Sequence, residues 1–141
     1  QSSYKSYGCR RGGFIMSSSF KLEISFKNHD VFMFKVLPES SGDKIKKAFG
    51  RLKEIEVGRS DFDDMFLIRG SDEKKIKNLF SKPHVRDFML NQRRLSLELT
   101  PNSLIFSTYL PIGSIDHLKM ICDWFSEVLN EICIMDSGYE N

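Results

Sequence analysis

Nothing constrains this chain more than the run of apolar residues that begins after Ser114. Ile115, Leu118, Ile121, Cys122, Phe125, Val128, Leu129 and Ile132 recur at three- and four-residue steps, the period of one helix face. Ser114 is an N-cap whose hydroxyl can accept from a first-turn amide, Asp116 sits where the helix dipole favours negative charge, and Gly138 is placed to close the far end. At 1.5 Å per residue such a rod is about 30 Å long, enough to cross a small domain. Each large apolar side chain it buries is worth roughly 1.5–3 kcal/mol. A chain with this helix must supply an apolar surface of similar length for it to lie on.

The residues just before it supply part of that surface. In 94–99 the leucines Leu95, Leu97 and Leu99 alternate with polar residues, which is the period of a half-buried strand. Pro101 and Asn102 have turn chemistry, so residues 104–109 are expected to return antiparallel. Residues 20–26 and 31–37 alternate in the same way. With Asn28, His29 and Asp30 between them, they are expected to form a first hairpin, with His29 as a turn residue. Residues 65–69 read as a short buried strand. Ser71 is expected to cap a helix burying Ile76, Leu79 and Phe80, and Pro83 to open another burying Val85, Phe88 and Met89. The expected class is therefore α+β: an antiparallel sheet of hairpins, the long C-terminal helix packed across one face, and short helices at the edge. Residues 1–13 have no period and read as a flexible lead-in to a single globular domain over 14–138.

Charge and cysteine content narrow the setting. The net charge of +2 is too small to call for a nucleic-acid partner, but residues 1–70 carry 13 Lys and Arg against 9 Asp and Glu, and residues 71–141 carry 8 against 10. Cys122 and Cys133 lie eleven residues apart on one helix, roughly 16 Å along its axis, too far for a disulfide. Unpaired cysteines fit a reducing, cytoplasmic compartment, with Cys9 as the candidate reactive thiol. No apolar run is long enough to span a bilayer, and the absence of an initiator methionine is expected of an excised piece, with room for a membrane tether outside this chain.

Candidate contact residues follow from the same patterns. Lys44, Lys46, Lys47, Arg51 and Lys53 make the most basic stretch, expected as a helix from Ile45, Ala48, Phe49 and Leu52, and suited to an anionic membrane or an acidic protein partner. Met120 and Trp124 share a flank of the long helix about a quarter turn off its stripe, as a widened core face or a contact surface. Phe32, Phe34, Phe106 and Phe125 would line an apolar ligand cup between sheet and helix. Lys82, His84, Arg86, Arg93 and Arg94 form a second basic patch. Residues 58–64 read as a loop in which Asp61, Asp63 and Asp64 lack the spacing of a calcium loop and suit turn and cap roles.

No phosphate loop, metal-ligand spacing or nucleophile elbow is present, so no cofactor or metal is expected. A non-catalytic interaction or regulatory domain is the leading expectation. A small hydrolase using Cys9 or a carboxylate pair is an alternative. Phe62, Asp63 and Phe66, followed by the acidic turn, the short helix and the hairpin, resemble a Phe-Asp-x-x-Phe pattern in uncharacterised membrane-anchored bacterial and archaeal proteins. That resemblance implies a soluble domain cut from a membrane protein and carries no activity with it.

Overall fold

The computed structural model describes residues 2–10, 13–39, 52–109 and 112–136, with side chains from Phe20 onward. Among them, seven strands form one sheet: β1 (Ser2–Arg10), β2 (Gly13–Ser25), β3 (Phe34–Pro38), β4 (Lys53–Ile55), β5 (Phe66–Gly70), β6 (Leu95–Leu99) and β7 (Ser103–Thr108). Their spatial order is β1-β2-β7-β6-β3-β5-β4, and each neighbouring pair is antiparallel. Four helices accompany them: α1 (Ser60–Met65), α2 (Glu73–Phe80), α3 (Pro83–Gln92) and α4 (Ile115–Met135). The α+β class and the long C-terminal helix are as the periodicity requires.

Alternation puts one side chain set from the strands into the core. Phe20, Leu22, Phe34, Val36, Ile68, Leu97 and Phe106 join the apolar sides of all four helices in one buried cluster. On the opposite face the register lines up Glu23, Ile105, Glu98, Lys35, Arg69 and Glu54 across six strands, none of them buried. The helices therefore lie on one side of the sheet.

The first expected hairpin does not form. β2 pairs with β1 and β7, β3 pairs with β6 and β5, and the whole β6–β7 hairpin sits between them. Residues 26–33 cross over that hairpin's turn, with Phe26 N–H donating to Asn102 O at 2.9 Å and Asn28 N–H to Pro101 O at 3.1 Å. The turn residues keep their local chemistry. Asn28 Oδ1 accepts from Phe32 N–H at 3.1 Å, and Nδ2 donates to Phe32 O. Asp136, the C-cap of α4, accepts from the backbone N–H of His29 and of Asp30, both at 3.2 Å, and contacts His29 Nδ1 at 2.8 Å. Alternation identifies a strand's face but not its neighbour, and six residue pairs tie β2 to β7.

Four local expectations also change. Residues 2–10, expected as a lead-in, pair as β1 with β2. Residues 60–65, expected as part of a loop, form α1, because Asp63 reaches back to accept from the amides of Val57, Gly58 and Arg59 at 2.9, 3.0 and 3.1 Å. Asp72 rather than Ser71 caps α2, accepting from Lys75 N–H at 3.1 Å. Ser71 is held elsewhere, its Oγ accepting from Met33 N–H at 3.0 Å. Finally, α4 is rolled by roughly 50° at 100° per residue from its sequence stripe: Trp124 turns inward, and Ile115 is 72% exposed.

Two aromatic groups fill the core. Phe32, Phe34, Phe80, Phe62 and Phe66 form a chain of neighbouring rings with centroids 5.0–5.6 Å apart. Trp124 stacks on Phe88 at 4.7 Å, meets Phe106 edge-on at 5.2 Å, and donates its indole N–H to Val85 O at 2.9 Å.

Candidate functional site: a charged cleft at the end of the sheet

The concave surface of interest lies where β3, β5 and β4 meet α1 and the turn after α3. One hollow of about 370 Å³ is lined by Pro38, Glu39, Asp61, Asp64, Met65, Arg93 and Arg94. A second, of about 220 Å³, is lined by Glu39, Glu54, Ile55, Glu56, Asp63, Asp64, Phe66, Leu67 and Ile68. The two share Glu39 and Asp64, which makes them parts of one cleft. Its charge is uneven: carboxylates gather at the β4–β5 end, and two guanidiniums stand at the other.

Local structure explains how these groups come to line it. Alternation along β4 carries Glu54 and the following Glu56 to the polar side while Ile55 enters the core. Asp63 is committed to three backbone amides, so it is a fixed acceptor. Asp61 bonds Arg59 through Nε at 3.1 Å and Nη2 at 3.4 Å. That pairing holds its carboxyl below the ordinary range, and the Phe62 N–H and the charge of Arg86 pull the same way.

The guanidinium end is built on an unusual turn. Arg93 has φ 67° and ψ −58°, and Arg94 N–H donates to Gln92 O at 2.8 Å, which together make a γ-turn of the strained kind with Arg93 at its centre. The turn is braced from behind. Arg94 O accepts from Thr108 Oγ1 at 3.1 Å and from Tyr109 N–H at 3.2 Å. Thr108 Oγ1 in turn accepts from Gln92 Nε2 at 3.0 Å, Gln92 Oε1 faces His117 Nε2 at 3.0 Å, and Gly113 N–H donates to His117 Nδ1 at 3.4 Å. In this arrangement the proton of His117 belongs on Nε2. Gln92 and Thr108 are buried, so the chain of bonds satisfies polar groups that would be costly alone. Both arginine side chains are exposed and have no ion-pair partner among the described residues.

The residues singled out from sequence fall differently. Lys44, Lys46, Lys47 and Arg51 lie outside the described residues; Lys53 is an exposed residue of β4, 3.7 Å from Glu73. The Met120–Trp124 flank is not one surface. Trp124 is 3% exposed and belongs to the core, whereas Met120 is 59% exposed. Phe32, Phe34, Phe106 and Phe125 are buried in the packed core, and neither hollow of the cleft is lined by any of them. The second basic patch divides, because Lys82 and His84 face Glu131 of α4 at 3.9 and 3.4 Å while Arg93 and Arg94 line the cleft at the other end of α3. The Cys9 side chain lies outside the described residues. Cys122 and Cys133 are free and half-buried, and burial, with Asp136 nearby, pushes the Cys133 thiol up.

Among the described residues no group of three or more His, Cys, Asp or Glu is placed to hold a metal ion, and no helix is long and apolar enough to cross a membrane. Sequence reasoning had Arg93, Arg94, Asp61, Asp63 and Asp64 in hand but assigned them to separate segments. Only the pairing of β3 with both β5 and β6 brings them together. No family model, curated protein or solved structure matches this chain.

Proposed function

We propose that the chain is a non-catalytic interaction domain that recognises a charged partner in the cleft. The observation that carries this reading is how its ionisable groups are used. Asp63 commits its oxygens to three amides, Arg59 holds the Asp61 carboxyl below its ordinary range, and Arg93 and Arg94 offer planar guanidinium donors. A carboxyl serving as a general acid needs its pKa raised toward neutrality, and the shift at Asp61 runs the other way. Among the described residues lining the two hollows there is no serine, cysteine or histidine. Fixed charges of both signs in one cleft suit binding and orientation better than proton transfer.

The test is amide chemical-shift mapping of the isotope-labelled protein against a mixture of random hexapeptides at low and high salt. Shifts are expected to gather at Asp64, Met65, Arg93 and Arg94 and to shrink with salt, because exposed charges are screened within about 10 Å at 0.1 M. Shifts gathered on another face, or cleavage of the peptides by the protein, would refute the reading.

A further inference from the structure

We infer that the Arg93–Arg94 end of the cleft takes the free α-carboxylate of an extended peptide, whose preceding cationic side chain lies against the carboxylates beside it. The inference rests on the cleft being the binding site and names what that site reads. Two adjacent guanidiniums without an ion-pair partner among the described residues line the larger hollow. Guanidiniums match the planar, two-oxygen geometry of a carboxylate and bind it by paired N–H donors.

The charge balance of that lining selects among anions. Glu39, Asp61 and Asp64 share the hollow with the two arginines, so among the described lining residues a bare anion meets more negative charge than positive. A chain terminus with a cationic side chain close behind its carboxylate satisfies both signs at once. Pro38 and Met65 in the same lining give an apolar floor for the peptide between them.

The backbone adds an independent reason. A γ-turn of this hand is strained for any residue with a Cβ, and glycine would adopt it at lower cost. Arginine at this position keeps the strain in exchange for a guanidinium at the mouth of the cleft, the pattern expected where a side chain is held for binding. The hydrogen-bonded brace through Thr108, Gln92 and His117 keeps the turn in place before any ligand arrives.

The experiment uses two hexapeptide libraries, each with lysine fixed at the penultimate position and the other positions random, one ending in a free carboxylate and one in an amide. Retention on the immobilised full chain is read by mass spectrometry, and affinities of the retained peptides by fluorescence anisotropy. Free-acid peptides are expected to bind at least tenfold more tightly than their amides, and Arg93→Ala/Arg94→Ala is expected to erase that difference. Arg93→Gly should raise the thermal midpoint while lowering the preference for the free acid, a pairing that a purely structural arginine would not give. Equal affinity for acid and amide, or a full preference surviving in Arg93→Gly or the double alanine variant, would overturn the inference and leave cleft binding standing. Retention of neither library would overturn both.

Discussion

The two ends of α3 belong to different kinds of construction. Over its first six residues, Val85 and Phe88 join Trp124 and Phe106 in an apolar block whose indole N–H is satisfied by Val85 O. At its end the chain makes a strained γ-turn, a hydrogen-bonded chain linking the Gln92 amide to the Thr108 hydroxyl and the His117 imidazole, and a pair of guanidiniums without an ion-pair partner among the described residues. The first region spends its residues on stability, and the second departs from local preference. Such departures concentrate where a protein binds or acts. The contrast supports the proposal that the cleft is where the protein binds.

Substitutions can break or sharpen that contrast. The largest effect is expected in the apolar block: Trp124→Ala should cost about 3–5 kcal/mol in urea unfolding, as for other large-to-small changes of a buried aromatic, and a loss below about 1 kcal/mol would show that α4 does not anchor the core. Next comes Gly70→Ala. A Cβ there would lie 2.2 Å from Ile76 Cδ1, 3.0 Å from Met33 O and 3.1 Å from Phe34 Cβ, so overpacking should cost about 1–3 kcal/mol and move the α2–β5 contact.

At the braced turn, Gln92→Leu leaves the Thr108 hydroxyl and His117 without their shared partner, and a loss of about 1–3 kcal/mol is expected. Amide exchange at Arg94 and Gly113 should quicken more than exchange in β5. Equal quickening everywhere would mean that the brace is merely part of the core. Arg94→Ala, by contrast, should leave stability within about 0.5 kcal/mol, because an exposed side chain with no ion-pair partner among the described residues has little to lose.

The smallest effect is a pH dependence. Asp61, paired with Arg59, and Glu73, paired first with Lys77, both have folded-state pKa values below the ordinary range. Their contribution is therefore complete above the ordinary carboxylate range and is lost as pH falls through the depressed values. Both side chains are exposed and screened by solvent, so Asp61→Asn/Glu73→Gln should only slightly flatten the acid limb of the stability curve. A steep acid transition that survives unchanged in this variant would place the titrating groups elsewhere.

What the sequence made legible tracks the same contrast. The α4 stripe, the β6–β7 alternation and the Pro83 start of α3 announced themselves because packing against one core imposes a period on the residues that do it. The roll of α4 was hidden, since Trp124 completes the buried face only when Val85 O and Phe88 are in place beside it. Strand order was hidden because alternation is indifferent to partner. The γ-turn carries no signature either: Arg93 is neither glycine nor asparagine, and its conformation is imposed by bonds from Gln92, Thr108 and Tyr109. The cleft draws on residues from 38 to 94, and no window of sequence contains it.

The insertion of β6 and β7 between β2 and β3 governs the order in which the molecule can be made. As the chain leaves the ribosome, β2 emerges with β1 for company, and the edge it will give to β7 stays bare until residue 108 is synthesised. The clasp of Asp136 on His29 and Asp30 comes later still, joining positions more than a hundred residues apart. A nascent chain therefore carries an open strand edge from the completion of β2 until β7 is made, the condition under which neighbouring chains pair wrongly. Arrest at residue 100 should yield protein that binds chaperones and aggregates, whereas a chain carried through 136 has its β2–β7 pairing and the Asp136 clasp in place.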